Sequence, residues 1–297
     1  MAGPQPSSRG QLVARAYEDA CLTEVRALKP GNVGVHAGGH DMTVEDFVAS
    51  ARVSAPAMGR PGITVGERIL AAVEATWAEV GCNTNLGIVL LCAPLAHAAL
   101  APGSGELRAR VRGVLDRLTV ADAELAFQAI RRAAPAGLGR SARHDVRDPP
   151  TATLLEAMAE AAGRDLIARQ YAAAYEDVFA VGVSRIRDAR ADLAGGAPEA
   201  EAWAATSAYL AFLARFPDSH VARKYSLARA ENVRRRAEVL EGEFRRCRRP
   251  MEMKRPLLDF DAALKAENVN PGTSADLTAA SLLAVRLADI LVGRNGG

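Results

Sequence analysis

The chain has 297 residues, of which 49% are hydrophobic, 24% are charged and only 5% are aromatic. This composition is too apolar for a disordered chain, and the length is compatible with one or two domains. The 37 Lys and Arg residues nearly balance the 35 Asp and Glu residues, so the net charge of +2 gives no general attraction for nucleic acid or a membrane surface. Four cysteines without a CxxC pair are typical of reduced thiols, and we expect a soluble cytoplasmic protein.

Ala and Leu, two strong helix formers, are abundant, and apolar residues recur at helical spacing. The predicted helices, in chain order, cover residues 11–28, 43–57, 66–79, 86–100, 107–118, 121–134, 151–181, 201–216, 219–243 and 273–292. Residues 1–10 are typical of a disordered tail, whereas residues 11–297 contain no plain linker and are predicted to form one domain. The sequence therefore predicts an all-α fold, a single compact domain of about ten helices.

The segment 80–105 carries no formal charge, which raises the question of a membrane span. Its uninterrupted apolar run begins only at Leu86, and Pro94 and His97 interrupt it. The run is therefore shorter than the roughly 18 residues that a transmembrane helix needs. We expect instead a buried central helix around which the other helices pack.

The first polar cluster ends the first predicted helix, with the sequence Glu-Val-Arg-Ala-Leu-Lys-Pro-Gly-Asn-Val at residues 24–33. At 100° per residue, Glu24 lies about 20° from Val13, on the apolar stripe of its helix. A carboxylate buried without a partner is strongly destabilising, so Glu24 needs a cation, a metal or a donor-rich ligand. A simple helix stop explains Pro30 and Gly31 but not Glu24.

Two further clusters lie immediately before predicted helices. His40 and Asp41 precede Thr43, which is predicted to be structural because it has capping-box spacing to a following Asp. Residues 83–85, with the sequence Asn-Thr-Asn, precede the uncharged helix, where backbone N–H groups and neutral side-chain donors favour an anion. A single N-cap would account for one of these three residues and not for the other two.

Three more clusters lie in the second half of the chain. Asp165 falls on an apolar stripe between two arginines, and either an internal salt bridge or a functional carboxylate explains it. Residues 217–224 combine the N-cap candidate Asp218 with two cations, and residues 270–276 combine an Asn-Pro-Gly turn with a helix start. Capping alone explains part of each cluster. Together the six clusters favour a phosphorylated ligand with a divalent metal, bound by an enzyme of helical fold.

The order of these motifs, from residue 12 to residue 291, resembles that of the triphosphoribosyl-dephospho-CoA synthase family. The resemblance implies an all-α transferase that uses Mg-ATP. In that family the ribose 2′-hydroxyl of the acceptor attacks the anomeric carbon of the ribose of ATP, adenine leaves, and the triphosphoribosyl unit becomes α-linked. Such a reaction needs stabilisation of positive charge on the sugar and proton transfer at the hydroxyl and at adenine.

On this resemblance, Glu24, Asp165 and Asp276 are the predicted catalytic residues, with their individual roles left open. The predicted ligands of Mg²⁺ are Asp41, Asp165 and Asp218. The predicted substrate- and phosphate-binding residues are Lys29, Asn32, His40, Asn83, Thr84, Asn85, Arg164, Ser219, Arg223, Lys224, Asn270, Thr273 and Ser274.

One motif departs from the family pattern, because the citrate-lyase and malonate-decarboxylase branches carry Asn-Thr-His-Lys-Gly where residues 83–87 read Asn-Thr-Asn-Leu-Gly. Loss of the cation weakens polyphosphate binding by roughly 1–3 kcal/mol. The Asn-Leu-Gly form resembles a branch found in archaea and methylotrophs. This implies an alternative, a (phospho)ribosyl or condensation step in methanopterin- or methanofuran-type cofactor biosynthesis. The donor is then ATP or another phosphoribosyl donor, and the acceptor is dephospho-CoA or a one-carbon cofactor precursor.

Two hypotheses of another class stay open on sequence. The first is a non-catalytic nucleotide-binding assembly protein that keeps the fold without the chemistry. The second is nucleic-acid binding through the basic run at residues 234–249, which lacks the interleaved aromatic residues of a single-strand binder. We therefore expect no nucleic-acid or membrane partner, and a homodimer is compatible with the sequence.

Overall fold

The computed structural model describes residues 8–35, 42–135, 137–192, 199–247 and 249–293. These residues form fourteen α-helices in one compact unit and no β-strand, which confirms the predicted all-α class. The helices are α1 (Arg9–Arg26), α2 (Val44–Gly59), α3 (Val65–Val80), α4 (Leu86–Leu100), α5 (Leu107–Leu115), α6 (Val120–Ala133), α7 (Leu154–Ala161), α8 (Leu166–Ala172), α9 (Ser184–Asp192), α10 (Ala200–Arg215), α11 (Ser219–Lys224), α12 (Leu227–Arg246), α13 (Lys254–Ala266) and α14 (Gly272–Leu291). A π-helix (Val178–Val183) lies between α8 and α9, and a 3₁₀ helix (Pro250–Met253) precedes α13.

Helix α1 begins two residues before the predicted start at residue 11. Ser8 accepts a hydrogen bond from the backbone N–H of Gln11, and the Gln11 side chain accepts one from the backbone of Ser8. This capping box satisfies N–H groups that a helix start otherwise leaves unpaired. The first helical turn therefore includes residues 9 and 10, which we had placed in the tail, whereas residues 1–7 lie outside the described residues.

Of three further differences from the predicted helices, two have local causes. The predicted helix at residues 151–181 is divided, because Asp165 caps α8 and because Ala174 and Tyr175 adopt positive φ angles of 48° and 60°. The predicted helix at 219–243 is divided where Ser226 caps α12. Helix α13 was not predicted. Caps inside an apolar pattern interrupt a helix that periodicity alone would continue.

The centre of the molecule is the uncharged helix α4, as the sequence predicted. Twelve of its fifteen residues are buried, because it is apolar on all sides and other helices surround it. Helix α14 packs along α4 and buries thirteen of its twenty residues, and α1, α2, α3 and α6 complete the main core. A smaller apolar core joins α10 to α12 and α13. None of the described helices combines the length and the hydropathy needed to cross a membrane.

The starts of α8, α11 and α14 are tied together by side chains that also cap them. The Oδ1 atom of Asp218 accepts hydrogen bonds from two backbone N–H groups of α11, and its Oδ2 atom accepts from the N–H and hydroxyl of Ser274, each at 2.8 Å. The Ser219 hydroxyl accepts from the N–H of Leu166 at 2.8 Å, which fixes α8 beside α11. Three helix N-termini consequently meet at one place, next to the start of α4.

Part of the basic run on α12 is paired with neighbouring carboxylates. Arg234 pairs with Glu231 and Glu238, and Arg236 pairs with Glu267. Arginines paired in this way contribute little net positive potential, and a nucleic-acid binder needs such potential. These ion pairs reduce the positive potential that Arg234 and Arg236 present to an anion.

Candidate active site

A cavity of about 850 Å³ opens where these helix starts meet. Its walls are the end of α1 and the turn after it, the starts of α4, α8, α11 and α14, parts of α6 and α7, and the loop between α6 and α7. The volume lies in the upper part of the range for small-molecule sites. The predicted site residues on its wall are Glu24, Asn32, Asn83, Thr84, Arg164, Asp165, Arg223, Lys224, Asn270, Thr273 and Asp276. Residues far apart in the sequence therefore share one cavity, including all three predicted catalytic carboxylates.

The remaining predicted residues lie elsewhere. Lys29, Asn85, Asp218, Ser219 and Ser274 stand behind the cavity wall, where each makes hydrogen bonds within the protein. His40 and Asp41 lie outside the described residues.

Glu24 and Lys29 form a buried ion pair, with side-chain exposures of 2% and 1%. The Lys29 ammonium also donates to Asn32 Oδ1 at 2.6 Å and to the carbonyl of Val33 at 3.0 Å. Its three donors are thus all engaged, so in this arrangement it holds Glu24 and Asn32 in place and does not reach the cavity. Burial raises the pKa of Glu24 and lowers that of Lys29, and their mutual attraction opposes both shifts.

The turn after α1 is fixed from three sides. Gly31 has a φ of 82°, and its N–H donates to Asp261 Oδ1 at 2.8 Å. A Cβ at Gly31 would approach side-chain atoms of α13 and the turn before α14 to 2.9 Å, so the close packing requires glycine. The Tyr209 hydroxyl donates to the carbonyl of Pro30 at 2.6 Å. These contacts hold the turn, and with it Glu24, in one position before a ligand binds. They also explain why residues 29–32 have the sequence Lys-Pro-Gly-Asn.

The hydrogen-bond network of Glu24 and Lys29 continues through the side-chain amide of Asn32 to the opposite wall of the cavity. Its Nδ2 atom donates to Asn270 Oδ1 at 2.8 Å, and both residues are less than 10% exposed while lining the cavity. A continuous set of buried hydrogen bonds therefore joins Glu24, through Lys29 and Asn32, to the turn that starts α14. Such a fully paired network is rigid, because loss of one member leaves a buried polar group unpaired.

Asp276 packs directly against the start of α4. A Cβ at Gly87 would lie only 2.0 Å from Asp276 Oδ2, so only glycine leaves room for this carboxyl group. Burial raises the pKa of Asp276 well above its ordinary value, and the nearby charges of Glu24 and Asp218 add to the effect, while Arg223 opposes it. The shift favours the protonated form of Asp276. The two carboxyl groups therefore lie in different surroundings, since Glu24 is paired with the Lys29 ammonium whereas Asp276 packs against Gly87.

Asp165 is both a helix cap and the partner of a cavity cation. Its Oδ1 atom accepts from the N–H groups of Ile167 and Ala168, and its Oδ2 atom accepts from Arg223 Nη1 at 3.1 Å. About a quarter of each side chain of the Asp165–Arg223 pair is exposed. The main geometric effect of Asp165 is therefore to aim Arg223 at the cavity.

Of the three aspartates predicted to bind Mg²⁺, Asp41 lies outside the described residues, and the structure places Asp165 and Asp218 differently. Asp218 is fully buried behind the wall, and both its oxygens already accept hydrogen bonds from helix starts. Nowhere in the described ranges do three His, Cys, Asp or Glu side chains group as metal ligands. Asp165 is the predicted ligand that lines the cavity.

The Asn-Thr-Asn-Leu-Gly motif splits into two roles. Asn83 and Thr84 line the cavity, and Asn83 Oδ1 accepts from the N–H of Leu86 at 3.1 Å. Asn85 turns the other way and donates to Thr76 Oγ1 at 3.0 Å inside the helix bundle. Leu86 is 7% exposed and also lines the cavity, so the side chain at this position gives the cavity wall an apolar surface. Its apolar neighbours on the wall include Met42, Phe47, Phe127, Ile130 and Met158.

Sequence reasoning missed two parts of the site. One is the loop between α6 and α7, which brings Arg140, Arg143, His144 and Asp145 to the cavity and which lies between two predicted helices. The other is His220, beside the cap residue Asp218. The missed signal in the loop was its density of charge, since several arginines, a His and an Asp follow two glycines within a dozen residues.

Comparisons with known proteins agree with this geometry. The sequence profile of the family described as ATP:dephospho-CoA triphosphoribosyl transferase matches residues 10–294. A crystal structure from Archaeoglobus fulgidus, of a protein described as a triphosphoribosyl-dephospho-CoA synthase, superposes with a TM-score of 0.60 at 26% sequence identity. The match covers 80% of this chain and 98% of that chain. A search of the curated proteins found no match.

Proposed function

Because the chain belongs to the family of ATP:dephospho-CoA triphosphoribosyl transferases, we propose that it moves a triphosphoribosyl unit from ATP to a hydroxyl of dephospho-CoA or a related acceptor. The observation that carries the proposal is that two carboxyl groups with different partners line one cavity, Glu24 in an ion pair with Lys29 and Asp276 packed against Gly87. Such a pair supplies the two functions that cleavage of an N-glycosidic bond needs, a negative charge near the sugar and a proton donor for the leaving base.

Glu24 is the group that we assign to the sugar. As the bond to adenine breaks, positive charge develops on the ribose ring, and a fixed carboxylate stabilises it. Lys29 and Asn32 keep Glu24 in position, so little reorganisation is needed when the charge appears. The same carboxylate accepts the proton of the attacking hydroxyl, which comes from the face opposite the base when the configuration inverts.

Asp276 is the group that we assign to the departing adenine. Burial and the neighbouring Glu24 favour its protonated form, and only a protonated carboxyl group donates to a leaving base. The proton balance then closes over one turnover, because the hydroxyl gives up one proton and adenine takes up one. Contact with Gly87 fixes the position of the Asp276 carboxyl group beside the start of α4.

The triphosphate is assigned to the basic side of the cavity. Arg164, Arg223 and Lys224 line it there, and arginines pair well with phosphate oxygens. Magnesium fits as a companion of the triphosphate, since Mg²⁺ binds through one or two carboxylates plus substrate phosphates and keeps several waters. Asp165 is the described carboxylate placed to take part, and the metal would neutralise phosphate charge.

The test is adenine release in the presence of ATP, Mg²⁺ and dephospho-CoA, followed by chromatography, with the coupled product identified by mass. We expect Glu24→Gln and Asp276→Asn each to lower kcat by about a hundredfold or more, since each removes a charge or proton that forms part of the transition state. Asp289→Asn, on the same helix as Asp276 but away from the cavity, is the matched control. Wild-type activity in both site variants would refute the assignment.

A second candidate is transfer to an acceptor of one-carbon cofactor biosynthesis, for which the specific observation is the apolar wall at Leu86. An apolar wall suits an acceptor with an apolar or aromatic part better than a further anion. The mass of the coupled product distinguishes the two acceptors, and a phosphoribosyl pyrophosphate donor would release pyrophosphate instead of adenine.

A further inference from the structure

The loop between α6 and α7 has a built framework. Asp145 accepts hydrogen bonds from the N–H groups of Ser141 and Arg147 at 2.9 and 3.0 Å, and Arg147 donates to the carbonyl of Gly139 at 2.8 Å. Arg131 of α6 donates to the carbonyl of Val146. The hydrogen bonds hold the loop in one shape, so its side chains leave from defined positions.

The loop is also docked beside the site. Gly137 has a φ of 71°, and a Cβ there would lie 2.9 Å from the carbonyl oxygen of Arg223. Glycine therefore permits both the backbone conformation and the close approach to α11. On the other side, Arg164 donates to the Ser141 hydroxyl at 3.0 Å, which links the loop to the end of α7.

The loop presents two arginines, Arg140 and Arg143, on the cavity wall at its exposed mouth. Arg143 is 71% exposed and its nearest carboxylate, on Glu160, is 3.8 Å away, which makes a weak surface pair. The cavity is consequently divided by charge. Buried Glu24 and half-buried Asp276 lie inside, and arginines lie at the mouth, together with Arg164.

We propose that Arg140 and Arg143 bind the outer phosphates of the donor and so set the length of phosphate chain that the enzyme prefers. The inference rests on the proposed function for the orientation of the donor, with its ribose at the two carboxyl groups. From there a triphosphate extends past Arg223 toward the mouth, where guanidinium groups form paired hydrogen bonds to phosphate oxygens. A monophosphate does not extend to the loop and gains nothing from it.

Inorganic tripolyphosphate is the probe, because its binding to the full-length protein is measured by calorimetry without turnover. We expect Arg140→Gln and Arg143→Gln each to weaken binding several-fold and the double variant to weaken it tenfold or more. Arg132→Gln is the matched control, since Arg132 of α6 stacks on Trp77 and does not line the cavity. Adenosine is a second probe, and its affinity should be unchanged in the double variant.

The preference for ATP over ADP as donor, measured as the ratio of kcat/KM values, should also fall about tenfold in the double variant. Equal tripolyphosphate affinity in wild type and double variant would overturn the proposal, as would an equal loss for adenosine. These outcomes are separate from the fate of the proposed function. Absence of adenine release by the wild type would remove that function while leaving the tripolyphosphate titration decisive for the loop. Matching unfolding temperatures of the variants show that the fold is intact.

Discussion

The interior and the mouth of the cavity are built on opposite principles. The interior is a closed network in which Glu24, Lys29, Asn32 and Asn270 satisfy one another and are almost fully buried. At the mouth, exposed arginines such as Arg143 have distant or no strong partners among the carboxylates described there. The difference teaches that side-chain positions are fixed in the interior, to which we assign the bond cleavage, while exposed positive charge is concentrated at the mouth, to which we assign the phosphates.

The largest effect on stability is expected from breaking the interior pair. Lys29→Met leaves the Glu24 carboxylate buried without its cation, which should cost about 3–5 kcal/mol of the free energy of unfolding. Removing both charges with Lys29→Met and Glu24→Gln should restore much of this stability while leaving the protein inactive. Urea unfolding monitored by circular dichroism measures both. A loss below about 1 kcal/mol in the single variant would show that the interior is no more constrained than the mouth.

Activity is the sharper measure for the contact between Gly87 and Asp276. In Gly87→Ala the new Cβ would meet Asp276 Oδ2 at 2.0 Å, so the carboxyl group must move. We expect about a hundredfold loss of kcat, because small displacements of a catalytic group are costly, with a stability loss of about 1–3 kcal/mol from overpacking. Gly242→Ala, on the outer helix α12, has only a flexible arginine end nearby and is the control. Full activity of Gly87→Ala would remove Asp276 from the mechanism.

The sequence predicted the interior better than the mouth, and the reason is physical. A carboxylate on an apolar stripe, such as Glu24, conflicts with its surroundings, and that conflict is visible in helical periodicity. The central helix was visible for a related reason, because its segment lacks charge on every side. In both cases burial leaves a mark on the pattern of residues.

The exposed residues at the mouth of the cavity give no such signal of burial in the sequence. Arg140 and Arg143 lie in a loop without helical periodicity, so the density of charge there does not show which side chains reach the cavity, and only the fold brings them to it. The sequence also could not show which residues of a motif line the cavity and which hold those residues in place from behind. Lys29 and Asp218 share motifs with residues that line the cavity, yet their partners are Glu24 and the start of α14. For Asp218 and Asn32 the side that faces the ligand is decided by hydrogen-bond partners 56 and 238 residues away along the chain, which the local sequence does not reveal.

The smallest effect is expected where interior and mouth meet, at Asp165. Asn is as good an N-cap as Asp, so Asp165→Asn keeps the cap of α8 and loses only the charge that pairs with Arg223. A partly exposed pair of this kind contributes no more than about 1 kcal/mol, so the unfolding temperature should change little. The KM for ATP should rise several-fold with kcat nearly unchanged, because Arg223 is then less well aimed. Asp165→Ala, which loses the cap as well, should cost about 1 kcal/mol more. A fall in kcat of a hundredfold for Asp165→Asn would instead make Asp165 part of the chemistry, and would extend the preorganised interior out to the mouth.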